Sequence, residues 1–432
     1  MNRLAYQMYE LAHLALAPAR AMSDMTRLVL RNPMNPVRLT AVGRNMAASA
    51  ELFERLTRRY GKPHFGLYET MVNSRSVEVT EEIVWQKPFC SLIHFRRDLP
   101  AGSPPAPILL IVAPMSGHYA TLLRGTVEAF LPHYDVYITD WIDARMAPLA
   151  FGRFDLDDYI DYLIDICRHL GRDGRAVHTL GVCQPSVPLI AAAAIMEGRG
   201  DNAAPASMIL MGGPIDTRRS PTEVNKLAET RGADWFKQNC TIQVPFPYPG
   251  VGREVYPGFL QLSGFMAMNL DKHVNAHVEM FNHLVAGDGD SAEKQREFYD
   301  EYMAVMDLDA AYYLQTVETV FVRHSLPRGE MLHRGEPVDL AKLRKAALMT
   351  VEGENDDISG VGQTQAAHDL CLNIPESRKR HHLQQHVGHY GVFNGSRFRS
   401  EIVPKICSFI DDTENSGAKG AKPAARKAAL AQ

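Results

Sequence analysis

Between residues 107 and 211 four short apolar runs, 108–112, 136–139, 177–182 and 207–211, alternate with helical patterns over 122–131, 159–170 and 184–196. Strands separated by helices at this spacing are joined by crossovers. Crossovers make the strands parallel and cover both faces of their sheet. This alternation predicts an α/β fold built of βαβ units. It stops near residue 217 and returns with an apolar run at 346–351, a helix near 363–372, a strand near 381–385 and a helix over 401–411.

One sheet interrupted by a long insertion is the simplest organisation. It divides the chain into an N-terminal helical extension (1–70), a first part of the core (71–216), a helical lid or cap (217–340), a second part of the core (341–412) and a basic tail (413–432). The extension reads as helical to about residue 60, with breaks expected at Pro18, Asn32-Pro33 and Asn35-Pro36. Residues 77–85 and 89–95 read as a hairpin ahead of the alternating region. The tail is rich in Ala, Lys and Gly and is expected to be disordered.

Charge and thiol usage narrow the function class. Forty-six basic against fifty acidic residues, in 432, give a net charge of −4, so no chain-wide field favours nucleic acid. Six cysteines lie scattered, without a CxxC pair or zinc-ligand spacing, and read as free thiols of a reducing cytosol. The apolar runs fall short of the roughly 18–20 residues that span a bilayer, and no secretory signal is expected. Leu4, Met8, Leu11 and Ala15 share one helical face, suited to packing or to an interfacial or partner helix. No phosphate loop or dinucleotide fingerprint is present, so no bound cofactor is expected. A homo-oligomer is left open.

One thiol stands where such a sheet would expose it. Val177-His178-Thr179-Leu180-Gly181-Val182-Cys183-Gln184-Pro185-Ser186-Val187 reads as strand, sharp turn and helix. That is the setting of a nucleophile elbow, in which the helix N-terminus favours a thiolate. Pro185 stands where a second glycine is usual, and a first helical turn tolerates it. A buried, inert cysteine at a strand end is the alternative. On this fold an acid and a histidine follow the nucleophile in chain order. Glu352-Gly353-Glu354-Asn355-Asp356-Asp357 follows the returning strand, and Val387-Gly388-His389-Tyr390-Gly391 follows the last one. Cys183, Asp356 and His389 therefore form the expected triad. Only one of Asp356 and Asp357 is expected to point into the site, and either would otherwise cap the next helix. The oxyanion hole is expected from the backbone N–H of Gln184 together with that of Met115 or Ser116, after strand 108–112. His118 is either a second site histidine or a structural loop residue.

With these residues in place, the chain resembles the intracellular poly(3-hydroxybutyrate) depolymerases over nearly its full length. The matching stretches are Gly181-Val182-Cys183-Gln184-Pro185, the segments 114–126 and 351–360, and Gly388-His389-Tyr390-Gly391-Val392-Phe393-Asn394-Gly395. The resemblance implies an α/β-hydrolase fold, a cysteine nucleophile in place of serine, and action on stored polyester at cytoplasmic granules. It maps the family's Asp and His onto Asp356 and His389. The related polyhydroxyalkanoate synthases also use a Cys-Asp-His triad and share the look of Asp140-Trp141. They usually carry Gly-Gly where this chain has Pro185-Ser186.

The expected chemistry is attack of the Cys183 thiolate on an ester carbonyl, followed by release of the 3-hydroxyacyl group to water or to coenzyme A. Phe246, Tyr248, Phe259 and Phe265, in the insertion, are expected to offer an apolar surface to the polymer, unless they pack the insertion's own core. A chain-building acyltransferase and a granule-associated protein without activity are the competing expectations.

Overall fold

The computed structural model describes residues 2–268 and 270–420. Three helices open it: α1 (Asn2–Ala15), α2 (Ala17–Arg31) and α3 (Ala41–Thr57). The break expected at Pro18 falls at Leu16, between α1 and α2, and Pro18 sits in the first turn of α2, where its missing N–H has no intrahelical partner to lose. Asn35 and Thr40 then accept from the Val37 and Gly43 amides, so the Asn-Pro stretch becomes a capped turn into α3.

The main sheet has nine strands: β1 (Glu69–Val72), β2 (Arg75–Lys87), β3 (Cys90–Arg97), β4 (Ile108–Val112), β5 (Asp135–Trp141), β6 (Val177–Val182), β7 (Ser207–Met211), β8 (Ala347–Gly353) and β9 (Lys379–Gln384). Their spatial order is β1-β2-β3-β5-β4-β6-β7-β8-β9. Pairing is antiparallel from β1 to β5 and parallel from there to β9. An antiparallel leader followed by a mostly parallel sheet flanked by helices is the α/β-hydrolase architecture. β4, β6, β7 and β8 are buried at every residue, which is why their sequences are mostly apolar rather than alternating, and their few polar residues, His178, Thr179, Ser207, Thr350 and Glu352, are hydrogen-bonded. β1 straddles residues 70 and 71, where the sequence suggested a boundary. Its four residues are exposed or half-buried, so no apolar run announced it.

The crossovers include α4 (Arg124–Phe130), α5 (Leu156–Gly171) and α6 (Ser186–Gly198). Asp155 and Asp158 close a capping box at the start of α5. α6 is apolar on all sides and nearly wholly buried, as a helix lying directly under a site must be. α12 (Ala366–Leu370) and α13 (Val403–Gly420) complete the second part of the core. α13 runs past residue 413, so the expected disordered tail does not begin there. Thr413 donates to the Phe409 carbonyl at 2.9 Å, and Glu414 meets the buried His178 ring at 2.9 Å. Residues 421–432 of the expected tail lie outside the described residues.

Everything between β7 and β8 is insertion, and these two strands are direct neighbours in the sheet. The chain thus leaves and re-enters the sheet at one place. The insertion carries α7 (Glu223–Cys240), α8 (Gly258–Met268), α9 (Leu270–Ala286), α10 (Gly289–Tyr302) and α11 (Ala310–Thr316), with a small antiparallel sheet formed by Ile242–Gln243, Glu254–Tyr256 and Leu308–Asp309. Arg253 ties it to the core. Its guanidinium donates to the carbonyls of Ala147, Pro148 and Gly152 and to Asp309 Oδ2, at 2.7–3.0 Å, with the side chain 3% exposed. The N-terminal helices dock on the insertion through the buried carboxylate of Glu51, which pairs with Arg31, Arg55 and Arg296. Among the described residues, no helix is long and apolar enough to cross a membrane.

Candidate active site

The strand ends assemble the site. Parallel strands direct their carboxyl ends to one rim, and loops leaving that rim converge above the sheet. Cys183 follows β6 directly and has φ +66°, a left-handed conformation that costs a non-glycine residue about 1–2 kcal/mol. Its N–H donates to the Met211 carbonyl at 2.7 Å, and its carbonyl accepts from Ser186 at 3.1 Å, which forces the turn between strand and helix. The turn demands small neighbours. A Cβ on Gly181 would meet Leu189 Cδ2 at 3.0 Å, and one on Gly213 would meet Ser186 Oγ at 2.1 Å. Cys183 is half-buried, the other five cysteines being buried or half-buried elsewhere.

His389 and Asp356 meet beside it. His389 Nδ1–H donates to Asp356 Oδ2 at 2.8 Å, with both side chains buried. The other carboxylate oxygen, Oδ1, accepts from the N–H groups of Ile358 and Ser359 at 2.9 and 2.8 Å, which locks the carboxylate plane. The adjacent Asp357 is exposed. Burial alone would push the His389 imidazole down. The Asp356 carboxylate and the hydrogen-bonded Cys183 outweigh it and hold the imidazole well above its usual range. Such a histidine carries a proton readily, and a cationic imidazole beside sulfur favours the thiolate.

Second-layer contacts hold this geometry. The buried Glu352 carboxylate accepts from the amides of Gly362, Thr364 and Gln365 at 2.7–2.9 Å and so folds the loop that carries Asp356. Thr364 clamps Gly213 in turn, accepting from its N–H at 2.7 Å and donating to its carbonyl at 2.9 Å. Gly212, at φ +56°, lies against the couple, since a Cβ there would come within 3.2 Å of His389 Cε1. Trp141 donates its indole N–H to the Ala113 carbonyl at 2.8 Å, which anchors the loop after β4.

That loop and the elbow are in contact. The Met115 N–H donates to Gln184 Oε1 at 3.4 Å, a long bond. The Gln184 backbone lies in the turn that opens α6, where leading amides have no intrahelical partners. Met115 and Gln184 are buried, and Ser116 is half-buried. His118 does not reach the couple. Its Nε2 faces the Tyr302 carbonyl at 3.1 Å and its ring packs on Phe265 and Tyr302, so it pins the loop to the insertion.

Of the insertion aromatics named from sequence, only Phe265 lies beside this loop, through His118. Tyr248 and Phe259 pack instead on the N-terminal helix, with Tyr6 at 6.5 and 5.4 Å and Tyr9 stacked on Phe259 at 4.3 Å. Tyr248 also bonds Glu10 and Arg59. Phe246 is 85% exposed at the surface. The reason is non-local: α1 offers these rings partners that no local pattern announces. The aromatics at the site are different ones. Tyr390 feels the charge of Cys183 and packs on Tyr302 at 6.0 Å and on the exposed Phe298 at 6.4 Å. Tyr312, from α11, also lies within reach of Cys183 and of the Gln184 side chain. Adjacency to His389 was a signal for Tyr390. For Tyr312 the sequence held none.

Burial depresses the His118 pKa to about 4, so the loop pin is neutral in the folded chain. An unfolded histidine titrates near 6.5, so the unfolded state binds more protons between those values. Stability is therefore complete above about pH 6.5 and is lost as pH falls toward 4, by about 2 kcal/mol at pH 5 for this group. His368, also depressed to about 4, shares the window. In thermal melts at pH 7 and pH 5, His118→Gln should show a smaller acid-induced drop in Tm than the unaltered chain. Equal drops would assign the acid sensitivity to other groups.

Residues 212–414 match the family model described as PHB de-polymerase C-terminus. A curated relative, the poly(3-hydroxyalkanoate) polymerase subunit PhaC of Haloferax mediterranei, is 22% identical over 358 residues, covering 81% of this chain and 67% of that protein. Similar solved structures include a soluble variant of monoglyceride lipase from Saccharomyces cerevisiae, at 10% identity and TM-score 0.46 over 80% of this chain and 98% of that one. Another is a hydrolase from Pseudomonas aeruginosa, at 11% identity and TM-score 0.45 over 77% and 98%. Residues 212–414 thus match the PHB de-polymerase C-terminus model, within a chain that has the α/β-hydrolase fold.

Proposed function

We propose that this chain is a thiol-dependent poly(3-hydroxybutyrate) depolymerase acting on amorphous polymer stored inside the cell. The observation that carries the reading is His389, which donates to Asp356 and lies within electrostatic reach of Cys183, with Cys183 held at φ +66° on the elbow. The family match over residues 212–414 supports the polyester as substrate.

In the proposed cycle His389 takes the Cys183 proton, and the sulfur attacks the carbonyl carbon of a backbone ester. The C–S bond forms as the carbonyl electron pair moves to oxygen. The Gln184 N–H and the Met115 or Ser116 N–H hold that oxyanion, each such donor being worth about 3 kcal/mol. Collapse breaks the C–O bond, and His389 returns its proton to the departing chain-end hydroxyl. Water, deprotonated by His389, then cleaves the thioester to a 3-hydroxyacyl carboxylate and regenerates the thiol. Coenzyme A is the alternative acceptor and would give a coenzyme A thioester. No bound cofactor takes part in either route. Phe298, Tyr302 and Tyr390 offer the apolar approach for a neutral polyester.

The second reading is a polymerase, favoured by the similarity to the Haloferax mediterranei poly(3-hydroxyalkanoate) polymerase subunit. Incubation with amorphous 3-hydroxybutyrate polymer granules, with and without coenzyme A, and separately with 3-hydroxybutyryl-CoA, distinguishes them. Release of soluble 3-hydroxybutyrate monomers or oligomers is expected. Polymer growth from the thioester without release would overturn the depolymerase reading.

A further inference from the structure

The site contains polar atoms that the triad and the backbone oxyanion hole do not use. Tyr312 is 1% exposed, and its buried hydroxyl lies beside the Thr316 and Gln184 side chains without a well-formed hydrogen bond to either. Gln184 Nε2 is buried and unpartnered as well. Such atoms forfeit the water they bonded in the unfolded chain and gain nothing in exchange, so folded proteins rarely keep them. Here two occur together beside the nucleophile, since the Tyr312 hydroxyl lies next to the Gln184 carboxamide and within electrostatic reach of Cys183.

The Tyr312 ring is not free to turn away. It stacks on Tyr159 at 5.6 Å and 14°, and Tyr159 stacks on Trp141 at 4.1 Å. Phe154 packs against it at 5.9 Å. This column of rings fixes the direction in which the hydroxyl points. The Gln184 carboxamide supplies the second clue. Its oxygen rests on the Met115 N–H, the expected oxyanion donor, through a bond of 3.4 Å that a better acceptor would displace. The Gln184 carboxamide thus links the amide expected to hold the oxyanion to the Tyr312 hydroxyl.

We propose that Tyr312 is a catalytic residue of this site, its hydroxyl donating a third hydrogen bond to the oxyanion formed when Cys183 attacks an acyl carbonyl. The proposal rests on the thiol-esterase reading above and deepens it. No proton is transferred: the phenol O–H stays on Tyr312, and the developing negative charge is shared by two backbone amides and one hydroxyl. Burial holds the phenol well above its ordinary pKa, which keeps the donor protonated throughout the working range. The insertion is thereby part of the catalytic apparatus, because α11 places a group against the elbow that no strand end supplies.

Tyr312→Phe removes the hydroxyl and keeps the stacked ring. With p-nitrophenyl butyrate, kcat should fall about 100-fold while KM stays within about twofold, the pattern of an interaction made in the transition state. Alkylation of Cys183 by iodoacetamide, which needs the thiolate and no oxyanion hole, should keep its unaltered rate. An unchanged kcat would overturn the proposal, as would an equal fall in alkylation, since the hydroxyl would then act on the thiol. Absence of any p-nitrophenolate release by the unaltered chain would overturn both this role and the esterase chemistry beneath it. Intact p-nitrophenyl esterase activity without polymer breakdown would instead sink only the choice of polyester.

Discussion

Cys183→Ala is expected to abolish ester cleavage, with at least a 1,000-fold loss of kcat/KM, while the chain stays folded. The alanine methyl occupies the space of the Cys183 Cβ at the same φ of +66°, so backbone strain is unchanged and only the sulfur is lost. Cys183→Gly sharpens the test. Glycine adopts positive φ without penalty, so this variant should be as inactive as the alanine one and more stable by about 1 kcal/mol. A residue whose removal raises stability and eliminates turnover is held in place by its chemistry. Thermal melts together with p-nitrophenyl butyrate hydrolysis read both effects. Substantial turnover by either variant would place the nucleophile elsewhere.

The second large effect is expected at Asp356. Asp356→Asn keeps the size of the side chain but brings an amide to His389 Nδ1, where the carboxylate now accepts at 2.8 Å. The imidazole then loses both the partner that fixes its tautomer and the charge that holds its pKa up. A loss of about 1,000- to 10,000-fold in kcat follows from comparable couples. Asp357→Asn, one residue on and exposed, should change kcat by no more than about twofold, as surface substitutions do. Reversed magnitudes would transfer the role of the acid to Asp357.

The site was legible where its members stand on regular elements. Strands read from apolar runs at 108–112, 177–182 and 207–211 coincide with Ile108–Val112, Val177–Val182 and Ser207–Met211. Strands buried on both faces are mostly apolar, so their extents are legible in the sequence. Cys183 and Asp356 follow two such strands, β6 and β8, while His389 follows the more exposed edge strand β9; all three could be found by position. The exposed β1 and the last turns of α13 left no comparable signal.

The choice between Asp356 and Asp357 depended on loop geometry, as did the placing of Tyr312. Glu352 folds the loop from beneath, and Ile358 and Ser359 donate to Asp356 Oδ1, so the loop turns this carboxylate inward while Asp357 is exposed. Tyr248 and Phe259 were drawn from the same aromatic stretch as Phe265, and Tyr6 and Tyr9 on α1 took them up.

By itself the sequence determined the alternation of strand and helix, the single interruption of the sheet, and the order of thiol, carboxylate and imidazole along the chain. These are consequences of local periodicity and of which positions must be dry. Only the tertiary structure decided which aromatic rings reach the thiol and which are spent on the N-terminal helices. Such contacts join residues from distant parts of the chain, and their partners are selected by packing across elements, which no window of sequence contains.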